Sequence, residues 1–360
     1  MVYKRRFALK ALVTMVTLVI VGYVYLLTPQ SATVRKSNEI TTFQLESNAY
    51  QELKSIRQRN KVDSVFTLVP ELPKHTTLLI IITTVPYEIK RRSILRQTWA
   101  KQSSWTFAAN NSDSLPDSVD IVNITYFFMM GFDGYSPVDE RVQRESTVHR
   151  DILRVNLTET YRGLTNKILL TFKWVSTLDM KPLFIAKADH DVYVKMPELA
   201  SWLQKFSKSP RKVYAGFIVR KGTAMRDIKS PWYVSKQHYR GIAWPPYCRG
   251  PFYLFSRDLF LDVVNATKVI KPFPVEDVYM AVLALSVGVK PLETGRVLFN
   301  DSRRLNKRVL QTPLDEMKVP SGIVLGDSLS SEAIQRIHSV YTLQKLPRAT
   351  KEPIARSHHE

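Results

Sequence analysis

Two aspartates separated by one residue follow an apolar run in the segment FIAKADHDVYVKM at 184–196. Asp is depleted in strands, so Asp189 and Asp191 need a reason to stand at the end of a buried stretch. One explanation is a turn, because Asp favours turns and helix caps. The other is a site for a hard divalent cation, because such ions prefer carboxylate oxygens. The segment alone leaves both explanations open.

An ion held by two carboxylates keeps open positions for a diphosphate, whose charge the ion and nearby basic residues neutralise. The sequence contains neither the GxxxxGK[ST] nor the GxGxxG phosphate loop. A bound nucleotide would therefore be held by the metal and by side chains, as in nucleotide-sugar transferases and unlike kinases.

The elements that must position these aspartates alternate between apolar strands and amphipathic helices. The run at 77–85 is apolar throughout, which is typical of a central strand buried on both faces. Further strands are predicted at 119–131, 182–188, 212–219 and 295–299. Helices are predicted at 87–100, 139–153, 165–178, 196–206, 256–267 and 275–289.

This alternation predicts an α/β fold with a mostly parallel central sheet. Ligands of such sheets bind beyond the carboxyl ends of the strands. Asp189 and Asp191 stand at such an end, which favours a site over a simple turn.

The N-terminus predicts a single membrane anchor. Three basic residues, Lys4 to Arg6, precede an apolar run at 7–27 that only Lys10 interrupts. A cleavable signal peptide is the alternative, but its apolar region is usually shorter and ends in a small-x-small site, which is missing here. We therefore expect an uncleaved signal-anchor, with 1–6 in the cytosol and the body across the membrane.

Charge and sequons fit that orientation. The chain carries 52 Lys and Arg against 32 Asp and Glu, a formal charge of +20, which suits nucleic acid, a membrane surface or anionic small molecules. Five N-x-[ST] sequons follow the anchor, at Asn110, Asn123, Asn156, Asn265 and Asn300. They agree with a glycosylated lumenal body, which removes nucleic acid as a partner.

The sequence also suggests how the chain is divided. We expect a cytosolic tail at 1–6, an anchor at 7–27, a polar stem at 28–75, a catalytic domain at 76–345 and a tail at 346–360. Cys248 is the only cysteine, so no intrachain disulfide forms. A buried free thiol is expected there, with an intermolecular bridge, and hence a homodimer, as the alternative.

Five blocks in order over 76–304 resemble the β-1,3-galactosyltransferase family of Golgi enzymes, which includes β-1,3-N-acetylglucosaminyltransferases and the Fringe proteins. The blocks are RRSILRQTWA (91–100), YFFMMG (126–131), KADHDVYVKM (187–196), WPPYCRGPFYLFS (244–256) and PFPVEDVYMAVLALSVGV (272–289).

The resemblance implies a GT-A fold, a UDP-sugar donor, Mn²⁺ and inversion at the anomeric carbon. It implies a type II Golgi membrane protein that transfers a hexosyl group, galactose first, in β-1,3 linkage to a glycan on protein or lipid. GlcNAc and GalNAc transfer are alternatives within the family. A non-catalytic sugar- or protein-binding member is the alternative outside it.

Carried onto this chain, the resemblance implies that Asp189 and Asp191 bind the metal ion that contacts the donor diphosphate. Asp277 becomes the base that deprotonates the acceptor hydroxyl, and Glu276 supports it. The alternative for Glu276 and Asp277 is an ordinary acidic first turn of a helix, which the helix dipole favours. One base and no general acid suit a single inverting displacement, because the metal takes the role of the acid.

The remaining blocks supply donor and acceptor contacts. Arg92, Arg96 and Lys187 are expected on the donor side. A solvated basic helix face is the alternative for the two arginines, and a structural role is the alternative for Lys187. The residues expected to frame the acceptor cleft are Trp244, Tyr247, Gly250 and Tyr253.

Two departures from the family pattern bear on the site. Phe252 replaces a usual Gly, so its side chain is expected to narrow the pocket. No third protein ligand for the metal is identifiable after Asp277.

Overall fold

The computed structural model describes residues 65–101, 103–106, 121–206, 209–295, 297–300 and 304–345. The chain divides into two compact units, 1–60 and 61–360, and all described residues belong to the second. The anchor predicted at 7–27, the stem up to residue 64, Asn110 and the tail at 346–360 lie outside them. In the described ranges, no helix has both the length and the apolar character needed to cross a bilayer.

A mixed eight-stranded sheet forms the centre of the described unit. Its strands are β1 (Phe66–Leu68), β2 (Leu78–Thr83), β3 (Ser103–Thr106), β4 (Ile121–Phe132), β5 (Ile152–Thr158), β6 (Phe184–Asp189), β8 (Tyr214–Val219) and β9 (Tyr247–Ser256). They run in the order β1-β5-β4-β2-β6-β9-β8, with β3 paired to β4. The pairs β4–β5, β2–β4 and β2–β6 are parallel, whereas both edges are antiparallel.

The prediction of a mostly parallel sheet is therefore wrong at the edges. The all-apolar pattern correctly locates β2, which is buried at every position. It does not locate β9, because an Arg-Gly-Pro sequence at 249–251 interrupts its apolar run. Strand β9 pairs antiparallel with β6 and with β8, so it turns one side of the parallel core into a mixed sheet.

Helices cover the sheet. They are α1 (Ile89–Gln97), α2 (Ser136–His149), α3 (Leu164–Thr177), α4 (Met196–Gln204), α5 (Arg257–Ala266), α6 (Glu276–Ser286), α7 (Leu305–Gln311) and α8 (Ser331–Lys345). Helix α2 ends four residues before its predicted end. Arg150 adopts the left-handed conformation with φ 52°, which closes the helix and sends the chain into β5.

A second, three-stranded sheet lies next to the end of β6. It contains β7 (Tyr193–Val194), β10 (Phe299–Asn300) and β11 (Val324–Leu325), in the order β10-β11-β7. Because β11 pairs with β7, the residues that follow it, 326–329, lie beside Asp191. Local periodicity at 295–299 predicts a longer strand than the two residues that form β10.

The folded unit also begins earlier than expected. Strand β1 lies within the range expected for the stem, yet it pairs antiparallel with β5. Phe66 and Leu68 are buried, and the ring of Phe66 packs against Trp174 of α3.

Candidate active site

A cavity of about 610 Å³ lies where β6, β9 and the start of α6 meet. Both acidic pairs named from the sequence line it, together with Lys187, Gly250 and Asp327. The fold thus brings together residues that lie up to 140 positions apart in the chain, from Lys187 to Asp327.

Asp189 is the last residue of β6, and contacts with Thr83 and Lys187 hold its side chain in place. Its Oδ1 accepts hydrogen bonds from Thr83 Oγ1 at 2.5 Å and from Lys187 Nζ at 2.5 Å. Thr83 is its parallel partner at the end of β2, so the sheet register itself delivers the hydroxyl. About 30% of the Asp189 side chain is exposed toward the cavity.

Lys187 is a fully buried lysine at the centre of the acidic residues. Its ammonium donates to the carbonyl of Gly250 at 2.5 Å and lies 4.0 Å from Glu276 Oε2, besides its contact with Asp189. Burial lowers the pKa of Lys187, but the carboxylates of Asp189 and Glu276 outweigh it and leave the pKa above its usual value. Lys187 therefore stays charged and links β6 to β9 and α6.

Asp191 is held by the segment after β11. Its Oδ2 accepts the N–H of Ser328 at 3.0 Å, and its carbonyl accepts the N–H of Leu329 at 2.9 Å. Burial, and then the charge of Asp189, raise the pKa of Asp191 to about 6. Its Oδ1 is buried and has no hydrogen-bond partner among the described residues. A buried carboxylate oxygen without a partner is costly unless a ligand completes it.

This donor set suits a hard cation that takes its other ligands from elsewhere. Asp189 and Asp191 offer carboxylate oxygens in one cavity, and Mg²⁺-like ions in nucleotide sites often use only one or two carboxylates plus phosphates and water. In the part of the chain that the structure describes, no group of three or more His, Cys, Asp or Glu side chains is arranged to hold a metal ion.

Asp277 lies in the first turn of α6 and faces the cavity. Its two oxygens accept the backbone N–H groups of Gly250 at 3.0 Å and Val278 at 2.9 Å. Burial is the main cause that raises the pKa of Asp277, against the lowering effect of these two N–H groups and of Lys187. A carboxylate with a raised pKa and a fixed orientation is suited to accept a proton from a bound hydroxyl.

Glu276 stands at the cavity wall, with its carboxylate hydrogen-bonded to the buried Tyr253 hydroxyl. Its side chain is 4% exposed, and its Oε1 accepts a short hydrogen bond from the Tyr253 hydroxyl. Burial raises the pKa of Glu276 to about 7, although Lys187 lowers it. Glu276 thus supports the site from behind.

Comparisons with known proteins show which family the chain belongs to. Residues 90–294 match the family model described as Galactosyltransferase. The chain belongs to the galactosyltransferase family. This confirms the family resemblance drawn from the sequence.

Individual relatives match part of the chain. It is 28% identical over 216 residues to β-1,3-galactosyltransferase 1 of Mus musculus and of Homo sapiens, covering 60% of this chain and 62% of each relative. It is 30% identical over 219 residues to the lactosylceramide 1,3-N-acetyl-β-D-glucosaminyltransferase of Mus musculus, covering 59% of this chain and 55% of that protein. The match thus spans less than two thirds of these relatives.

A solved structure of S. aureus TarS 1–349 in complex with UDP is 11% identical and covers 58% of this chain and 54% of its own, with a TM-score of 0.31. That score is too low to support a common fold. The strand order and the pairing of the central sheet define the fold of this protein.

The arginines of the galactosyltransferase block at 91–100 do not line the cavity. Arg92 is fully buried and pairs with Glu145 of α2 at 2.6 Å, and its guanidinium also donates to the carbonyls of Val85 and Pro86. Arg96 pairs with Glu145 at 2.7 Å and with Asp151 at 2.8 Å. The structure therefore gives these arginines a role in packing α1 on α2, instead of the expected contact with the donor.

The residues expected around the acceptor divide into two groups. Trp244, Tyr247 and Gly250 line the cavity. Tyr253 does not, because it is fully buried and its hydroxyl serves Glu276. Phe252 is also fully buried and packs in the main core, so the expected narrowing of the pocket by its side chain is wrong.

The pairing register of β9 with β6 explains why the side chains of Phe252 and Tyr253 do not line the cavity. Successive residues of a strand point to opposite faces, and Phe252 pairs with Ala188 while Tyr253 pairs with Lys187. Both faces of β9 are covered at this depth, so neither side chain reaches the cavity.

Sequence reasoning missed several cavity residues, and all of them except Arg249 stand outside the recognised blocks and acidic pairs. They are Tyr161, Met225, Trp232, Arg249, Asp327 and Ser328. Arg249 and Asp327 form an ion pair at 2.5 Å across the cavity. In the sequence, the signal that could have indicated one of these residues is a Trp at position 232 within a polar, turn-rich segment.

The sequons and the cysteine take distinct positions. Asn156 and Asn265 are exposed, whereas Asn123 lies partly buried in β4 opposite Ser104. The amide nitrogen of Asn300 donates to the Ser321 carbonyl at 2.7 Å. Cys248 is buried as a free thiol, as expected, and burial raises its pKa.

Proposed function

We propose that this protein is an inverting β-1,3-glycosyltransferase that moves a hexosyl group, galactose first, from a UDP-sugar to a glycan acceptor. One observation carries the proposal: a member of the galactosyltransferase family places Asp189, Asp191 and Asp277 in one cavity. The cavity is also large enough for a sugar and part of a nucleotide.

Asp277 performs the proton transfer. One of its oxygens takes the proton of the acceptor 3-hydroxyl while the oxygen of that hydroxyl attacks the anomeric carbon of the donor. The bond from this carbon to the diphosphate oxygen breaks with its electron pair, and UDP leaves. A single displacement of this kind inverts the anomeric configuration. The N–H groups of Gly250 and Val278 keep the carboxylate oriented throughout.

Asp189 and Asp191 would hold a divalent cation such as Mn²⁺. When bound, the ion supplies positive charge that neutralises the leaving diphosphate. Thr83 and Lys187 orient Asp189, and Ser328 orients Asp191. The partnerless Oδ1 of Asp191 is the oxygen best suited to bind the ion.

GlcNAc is the second candidate donor sugar, because the chain is 30% identical over the matched region to a GlcNAc transferase and 28% identical to a galactosyltransferase. GalNAc transfer is a third option. The presence of Asp189, Asp191 and Asp277 in one cavity argues against a non-catalytic sugar- or protein-binding protein.

We also propose a single-pass type II protein of the Golgi membrane with a lumenal catalytic domain that acts on glycans of protein or lipid. The basic residues before the apolar run at 7–27 and the sequons support this.

The test is a donor screen with the full-length protein. UDP-Gal, UDP-GlcNAc and UDP-GalNAc are each supplied with Mn²⁺, and UDP release is measured with and without a mixture of glycan acceptors. We expect acceptor-stimulated release with one donor. Asp191→Ala should abolish metal-dependent binding of UDP in calorimetry, as chelator does to the wild type. Donor binding that survives both treatments contradicts the metal role, and donor binding without release for any acceptor favours the non-catalytic alternative.

A further inference from the structure

Two exposed aromatic side chains form part of the cavity wall and have no part in the steps above. Tyr161 lies just before α3, and Trp232 lies in the long connection between β8 and β9. Both line the cavity, and they are 61% and 54% exposed. The indole Nε1 of Trp232 donates to the Tyr161 hydroxyl at 2.9 Å, so two segments 71 residues apart present their rings as a pair.

The backbone around this pair is fixed from both sides. The guanidinium of Arg162 donates to the carbonyl of Tyr233 at 3.4 Å, next to the Trp232–Tyr161 bond. Arg226 donates to the carbonyls of three residues, which are Val234, Tyr239 and Gly241. These contacts fold the connection onto itself and hold Trp232 at the cavity, so its exposure is not that of a loose loop.

The pair also lies close to the proposed base. Burial of its hydroxyl raises the pKa of Tyr161, and the charges of Asp277 and Asp189 raise it further. These carboxylates therefore act on the phenol through the cavity.

The other cavity tryptophan cannot offer its ring in the same way. Trp244 is 8% exposed and stacks on Phe273 with a centroid distance of 5.8 Å and an interplanar angle of 5°. Tyr239 lies 4.5 Å from it as well. Trp244, which the sequence suggested for the acceptor cleft, thus packs on protein. Trp232 and Tyr161 are the most exposed aromatic side chains of the cavity lining.

We propose that Tyr161 and Trp232 form the platform on which the terminal sugar of the acceptor stacks, and that this sugar is a β-galactoside. The proposal rests on the proposed function. The C–H bonds at positions 3, 4 and 5 of galactose lie on one face and make an apolar patch that suits an aromatic ring. Stacking through that patch leaves the equatorial 3-hydroxyl at the ring edge, where a base such as Asp277 has access to it. Glucose, with its equatorial 4-hydroxyl, lacks this continuous patch.

The first measurement is the kinetics of the full-length protein with methyl β-D-galactoside as acceptor and the donor found in the screen. Trp232→Ala and Trp232→Leu both remove the ring, and the Leu variant keeps apolar bulk in case the Ala variant folds poorly. We expect each to raise the acceptor KM about tenfold, the order of one aromatic contact, while kcat and the donor KM change less than threefold. Tyr161→Phe removes only the hydrogen bond and should raise the acceptor KM about threefold. Tyr135→Ala, which removes an aromatic side chain of the same 61% exposure outside the cavity lining, is the matched control.

The second measurement needs no turnover. Saturation-transfer NMR of the wild type with methyl β-D-galactoside and UDP should show the strongest transfer at H3, H4 and H5, and methyl β-D-glucoside should show much less. Both Trp232 variants should lose this pattern, and Tyr135→Ala should keep it.

The two hypotheses fail separately. An acceptor KM within twofold of the wild type in Trp232→Leu, with active enzyme, overturns the platform and leaves the transferase intact. If Trp232→Leu loses the H3–H5 pattern but the wild type transfers no sugar from any donor, the platform is supported and the transferase is overturned. Equal saturation of galactoside and glucoside overturns the choice of sugar.

Discussion

Replacing Asp277 by Asn separates chemistry from binding. The amide keeps the shape of the side chain but no longer takes a proton from the acceptor hydroxyl. Loss of a general base lowers turnover by about 10²–10⁴, or about 3–5 kcal/mol in the activation free energy. Donor affinity should stay within a few-fold, because Asp277 is placed on the acceptor and not on the metal. Asp191→Asn should instead weaken binding of donor and Mn²⁺ together.

The hydrogen bonds of Asp277 set the expected cost in stability. Each of its oxygens accepts one backbone N–H, from Gly250 and from Val278, whereas Asn has a single oxygen. One N–H loses its acceptor, which costs about 1–3 kcal/mol. The neutral amide also avoids the cost of burying a charge, which is the largest effect on the pKa of Asp277, and it removes both the attraction to Lys187 and the repulsion from Asp189. We therefore expect a net loss below about 2 kcal/mol in the free energy of unfolding.

The assay measures turnover, UDP affinity and melting temperature on the same preparation. Asp258→Asn is the matched control, because Asp258 stands in the first turn of α5, accepts the backbone N–H of Lys212 and does not line the cavity. It should lose comparable stability and keep turnover. Near-normal turnover in Asp277→Asn would refute the assignment and make Asp277 an ordinary acid at a helix start, worth about 0.3–1 kcal/mol.

Three further predictions concern other parts of the molecule. The pKa of Glu276 is raised to about 7, so the folded state keeps a proton that the unfolded state releases, and stability should fall as pH rises from about 4.5 to 7. Glu276→Gln should remove that part of the slope in urea melts at pH 5 and pH 8, and an unchanged slope contradicts the shift. Arg92→Met should cost about 3 kcal/mol, because it leaves the buried Glu145 with Arg96 as its remaining arginine, while donor affinity of the folded protein is unchanged; a selective loss of donor affinity would return Arg92 to the site. Glycosidase treatment of cell-expressed protein should lower its apparent mass, and Asn156→Gln should make that decrease smaller. No change in mass, together with protease sensitivity of the body in sealed microsomes, would contradict the lumenal orientation.

The sequence by itself determined the local features of this protein. The apolar runs at 77–85 and 182–188 predicted β2 and β6, and the aspartates that follow the second run predicted a site at the end of β6. The ordered blocks identified the family. Such signals are short-range, because an apolar period or a motif depends only on neighbouring residues.

Only the tertiary structure decided how those features combine. The Arg-Gly-Pro interruption hid β9, whose antiparallel pairing with β6 sets Tyr253 behind the site and Phe252 in the core. The pairing of β11 with β7 brings Ser328 to Asp191 from 137 residues away. The hydrogen bond from Trp232 to Tyr161 joins residues 71 positions apart, and no local sequence pattern predicts it. These contacts join segments far apart in the chain, and their positions follow from strand register and packing, which no single stretch of sequence specifies.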